Sequence, residues 1–149
     1  MPKFRFTHHR LDTRHWLKDG VETVSHTLEL SGHDAATGAH DHAILIFDSG
    51  TDLGQARGAG TVGYMTRCAD GSTSLVGWFP LRDFAAYHEV LAQGDELSVH
   101  FELRDPRADA GYLRRLGIGH YEKIMTATIC RPAGQRAPRS PASVYAMPL

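Results

Sequence analysis

Thr61–Phe79, TVGYMTRCADGSTSLVGWF, is the stretch whose reading decides the fold. Two runs rich in β-branched, aromatic and aliphatic residues, Thr61–Cys68 and Ser72–Phe79, flank Ala69-Asp70-Gly71. Asp-Gly supplies the positive φ angles of a tight turn, so the stretch predicts an antiparallel hairpin. Tyr64, Trp78 and Phe79 place aromatic rings on its two strands.

Upstream, Ser49–Gly60 carries Gly50, Gly54, Gly58 and Gly60. A phosphate-cradling loop would need a GxxxxGK[ST] pattern opening a helix, and no such lysine is present. The expectation is a flexible or bulged connection between strands. Before it, His42–Asp48 is a short apolar strand whose lack of alternation predicts burial on both sides. Ser31–His40 reads as a polar loop. Glu22–Leu30 alternates, with Val24, His26, Leu28 and Leu30 on one face. Asp19-Gly20 reads as a turn. Lys3–Thr7 alternates too, with Phe4 and Phe6 sharing a face.

Downstream, Pro80 opens a helix over Leu81–Gln93. Its stripe is Leu81, Phe84, His88 and Leu91, joined by Tyr87 and Val90, and Gly94 is placed to cap it. Asp95–Arg104 is an amphipathic strand with Leu97, Val99, Phe101 and Leu103 on one face. On its opposite face, His100 beside Glu102 reads as an exposed ladder. Tyr112–Gly119 reads equally as strand or as helical turn. Tyr121–Ile129 is a last strand, with Met125, Ala127 and Ile129 together. Arg131–Leu149 holds four prolines among Ala, Arg and Ser and ends in an apolar Val144-Tyr145-Ala146-Met147.

These segments predict an all-β, mainly antiparallel fold: a small β-barrel or barrel-like sandwich of about seven to eight strands with one α-helix. Residues 1–131 form one domain, and 132–149 a Pro/Arg/Ala-rich tail or docked arm, through which a homodimer is expected.

The 149 residues carry a formal charge of −1, with 42% hydrophobic and 22% charged residues, so neither nucleic acid nor an anionic membrane is expected as a partner. No run approaches a membrane span and the first residues form no signal peptide. Cys68 and Cys130 make no CxxC pair and read as small core residues, which with the missing signal suggests a cytoplasmic setting. Arginine outnumbers lysine and asparagine is absent, a bias that accompanies GC-rich bacterial coding.

No nucleotide, redox or nucleophile motif stands in the chain, and no cofactor is expected. Of ten histidines, two break the pattern. His26 falls on an apolar face, and His8 continues the register of Phe4 and Phe6. Each is either a core imidazole with a hydrogen-bond partner or a polar group aimed into a ligand cavity. The functional expectation is a barrel that binds a hydrophobic, polyketide-like small molecule, as a cofactor-free cyclase, isomerase or lyase. His26 and Tyr64 would be the acid–base pair in one cavity. Phe6, His8, Trp78, Phe101 and Met125 would line it. Two alternatives stand beside this: a non-catalytic ligand-binding or protein-interaction module, and a cupin-like metal protein using His40 and His42, which share a strand face.

Overall fold

The computed structural model describes residues 3–93, 96–120 and 124–129. In chain order these form β1 (Lys3–Phe6), β2 (His8–Lys18), β3 (Val21–His33), β4 (His40–Asp48), α1 (Thr51–Gly58), β5 (Gly63–Arg67), β6 (Thr73–Pro80), a 3-10 turn (Leu81–Asp83), α2 (Phe84–Ala92), β7 (Leu97–Leu103), β8 (Gly111–Gly119) and β9 (Ile124–Thr128). The fold is mainly β, as the alternation predicts: one curled, nearly all antiparallel sheet in the shape of a half-barrel. The Gly94 cap, Cys130 and the tail from Arg131 lie outside the described residues.

The sheet runs β1-β7-β8-β5-β6-β4-β3-β2, with β9 on β8. Its two ends are consecutive in sequence. Lys3–Phe6 pairs with β7, and after Thr7 the chain pairs with β3. The Thr7 N–H donates to the Ser31 carbonyl at 2.9 Å, which fixes this change of partner. A Cβ on Gly32 would strike the Arg5 carbonyl, so glycine lets the first strand pass over β3.

The 61–79 hairpin forms as predicted. Gly71 has φ +87° and the Asp70 carboxylate accepts the Ser72 N–H at 2.9 Å. That bond holds the Asp70 pKa below its ordinary value. Cys68, at the end of this strand, is exposed and free rather than in the core.

Ser49–Gly60 departs from expectation. Thr51–Gly58 is a second helix, crossing between β4 and β6, which are the parallel pair of the sheet. A parallel pair needs such a crossover. The helix seats Ala56 against Val76 and Trp78 on the outer face of the sheet. It is tied down by Arg57, which donates to the carbonyls of Thr61 at 2.9 Å and Trp78 at 2.6 Å. Buried Thr61 then joins β5 to β8. Its hydroxyl accepts the N–H groups of Gly63 at 3.1 Å and Leu113 at 3.2 Å, and donates to the Leu113 carbonyl at 2.7 Å.

The main core lies on the inner face. Leu28, Leu30, Leu45, Phe47, Met65, Phe79, Leu116 and Ile118 are fully buried there. β4 is covered on both sides, as its apolar run predicts: Ala43, Leu45 and Phe47 point inward, while Ile44 and Ile46 meet the layer under α1. The predicted helix splits into the 3-10 turn and α2, and plugs the inner face. Tyr87 lies 5.1 Å from both the Phe47 and Phe79 rings. Tyr112–Gly119 is strand β8.

β2 and β3 continue beyond the end of β4, whose Phe47 is paired to His26. The outer part of this hairpin is a two-stranded ribbon closed by Asp19 (φ +52°) and Gly20 (φ +77°). Among the described residues, the exposed large hydrophobics all belong to the β2–β3 hairpin: Trp16 (41% exposed), Leu17 (75%) and Val21 (64%) on the ribbon, and Leu11 (39%) just inside it, opposite Leu28.

Candidate functional site

Where the ribbon leaves the sheet, its inner face meets the first turn of α2. The pairings Leu11↔Leu28, Thr13↔His26 and His15↔Val24 put these side chains on one face, continuous with the core. His26 is half-buried there. Its ring stacks on Phe84, with centroids 4.0 Å apart and planes inclined by 20°. Phe84 is held in turn by an edge contact with Phe47 at 5.4 Å. His88 lies one helical turn on, 5.7 Å from the Phe84 ring.

Thr13 completes the arrangement. Its hydroxyl and the His26 Nδ1 share a hydrogen bond of 2.9 Å. In either tautomer Nδ1 is occupied and Nε2 is left for a ligand. Burial, with His15 nearby as a competing cation, lowers the His26 pKa from its ordinary value. The imidazole is thus neutral at neutral pH, and in the tautomer whose Nδ1–H donates to Thr13, Nε2 can accept a hydrogen bond or a proton. Leu11 and Val24 supply apolar surface alongside. The result is an open shelf with one oriented base.

The predicted acid–base pair is not brought together. Tyr64 lies on the opposite face of the sheet, packed under α1 with Val76, Trp78 and Tyr112. Its ring makes an edge contact with Tyr112 at 5.1 Å. Val62, which regular alternation would put on the face of Tyr64, belongs to the inner core. The alternation resets at Gly63, which is paired to Gly77 so closely that a Cβ would strike the Val76 carbonyl. Trp78 shares the outer face with Tyr64 and is separated from His26 by the sheet itself.

His8 is also displaced. Thr7 interrupts the register, so His9 rather than His8 pairs with Leu30 on the inner face. His8 is exposed, pairs with Ser31, and shares a hydrogen bond with the Thr7 hydroxyl at 2.9 Å. Phe6 and Phe101 are inward as predicted, but as packed core. Met125 is paired in register with Ile118, and its surroundings lie outside the description.

His40 and His42, the ligands of the cupin-like alternative, both lie on β4. His40 faces His33 across the β3–β4 pair, with ring centroids 4.2 Å apart. Among the described residues no group of three His, Cys, Asp or Glu is placed to hold a metal. His100, read as an exposed ladder, is buried, and its Nε2 has no hydrogen-bond partner among the described residues.

Thr13 and Phe84 escaped the sequence reading as site residues. Thr13 sits on a strand that carries no apolar alternation, and Phe84 reads as plain helix stripe. One signal was available: a two-residue Asp-Gly loop before Glu22–Leu30 implies a partner strand on its other side.

Compared with known proteins, the chain matches no protein-family model, no curated protein and no solved structure. No helix among the described residues is long and apolar enough to cross a membrane.

Proposed function

We propose that this chain binds a flat, hydrophobic small molecule on the shelf between the ribbon and Phe84, with His26 as its polar anchor. The observation that carries this reading is the His26 ring itself. It is stacked, fixed through Nδ1, held neutral, and has Nε2 free of partners among the described residues. A base so placed suits cofactor-free isomerisation, cyclisation or elimination. Nε2 would take a proton from an acidic C–H or O–H of the ligand and return it elsewhere. Tyr64 has no part in this chemistry. The packed inner core directs the ligand to the open edge of the sheet rather than to its interior.

The test is amide NMR titration with phenol and indole. Shifts should cluster at Leu11, Thr13, Val24, His26 and Phe84, and Phe84→Leu should abolish them while leaving the remaining spectrum folded. Shifts scattered over the surface, or unchanged by Phe84→Leu, would defeat the reading.

A protein-interaction module is the second reading. The exposed hydrophobics gathered along the β2–β3 hairpin support it.

A further inference from the structure

β2 is an edge strand. Among the described residues it pairs with β3 alone, leaving a row of backbone N–H and C=O groups open along its other side. Side chains on an open edge commonly oppose pairing. Those of β2 instead complement themselves.

We propose that β2 pairs antiparallel with β2 of a second copy of this chain, about a two-fold axis through Thr13. This deepens the interaction reading above and is independent of the ligand shelf. Thr13 is the middle residue of His8–Lys18, so this register pairs the whole strand. It sets Asp12 opposite Arg14 of the second copy, and by symmetry Arg14 opposite Asp12. Neither residue has an ion-pair partner among the described residues of its own chain. On the same outer face Arg10, held by Glu29 at 2.7 Å, comes opposite Trp16, where guanidinium and indole attract. On the inner face Leu11 meets His15 and Leu17 meets His9. Three of the four exposed hydrophobics thus gain neighbours.

The neighbouring registers fail on charge. A slip of two residues one way puts Asp12 opposite Asp12 and Arg10 opposite Arg14. The same slip the other way puts Arg14 opposite Arg14. Like charges directly across a strand pair repel. The centred register also brings His15 of the second copy beside Leu11 and next to Thr13, so each shelf is walled by its neighbour.

Sedimentation equilibrium of the full chain at micromolar concentration should report a dimer. Asp12→Arg or Arg14→Asp alone should weaken it about tenfold, as two attractive pairs become repulsive. The double exchange Asp12→Arg/Arg14→Asp should restore it. With Cys68→Ser and Cys130→Ser in place, Thr13→Cys should cross-link to itself on mild oxidation and Leu11→Cys should not. A monomer overturns the proposal. So does a dimer indifferent to both charge exchanges, or one that cross-links equally through Leu11→Cys. Failure of the phenol and indole titration would leave each of these outcomes unchanged.

Discussion

A single strand, β3, passes through two different environments. At Leu28 and Leu30 its inward side chains are completely buried. Nearer its start, at Val21, it is exposed, and among the described residues it pairs there with β2 alone. The backbone pairing is the same in both parts. What differs is whether a second layer covers the face: α2 over the inner core, α1 over the outer one, neither over the ribbon. The contrast separates a covered body from an open ribbon, with His26 on the border; under the proposed function it divides stability from recognition in space. Burial of complementary apolar surface holds the body. The ribbon contributes little to it and keeps apolar side chains available.

The sharpest way to break this division is Phe47→Ala. Phe47 is fully buried and contacts Phe79, Phe84 and Tyr87. Urea denaturation should show a loss of about 3–5 kcal/mol. A loss below about 1 kcal/mol would mean that the inner core is not the seat of stability.

A smaller effect should come from His100, the buried polar exception in the body. Burial, with the Lys3 charge beside it, lowers its pKa from the ordinary value. The unfolded chain therefore takes up this proton at higher pH than the folded one. Stability is full above the ordinary imidazole pKa of about 6.5 and falls as pH drops from there towards the folded pKa. His26 is shifted in the same direction and adds to the decline. His100→Leu should flatten the acid side of the urea midpoint–pH curve. At neutral pH it should change stability by less than about 1 kcal/mol, since Nε2 has no partner to lose among the described residues. An unaltered pH curve would show that His100 does not drive the acid sensitivity.

The smallest effect belongs to the ribbon. Trp16→Ser and Leu17→Ser, measured in an Asp12→Arg background at a concentration where sedimentation shows only monomer, should shift stability by no more than about 0.5 kcal/mol. A cost of several times that would make the ribbon part of the folded body and erase the contrast.

What could be read beforehand follows the same divide. Where one face is buried, alternation states it: Leu28 and Leu30, or Val99 and Phe101, were legible from spacing alone. Where both faces are wet, as in β2, no alternation exists to read, and His8–Lys18 is given no element by spacing alone. α1 was hidden for a related reason. It buries chiefly Ala56, and its glycines argue for a turn. The assignment of Tyr64 failed through parity. Counting by twos carries a face correctly only while the strand is regular, and the close Gly63–Gly77 pair resets it. His8 failed in the same way at Thr7. His26 was placed on the correct face because no such break falls between it and Leu28, but its stacking partner comes from a helix that no strand pattern mentions.

The change of partner at Thr7 also orders events in time. Phe4 and Phe6 are made first, yet they pair with Val99 and Leu97. At roughly 5–20 residues per second, a ribosome needs about 5–20 s to supply that partner. The β2–β3 hairpin, closed by its own turn, has no such wait. For that interval the growing chain carries two unsheltered phenylalanines ahead of a formed ribbon.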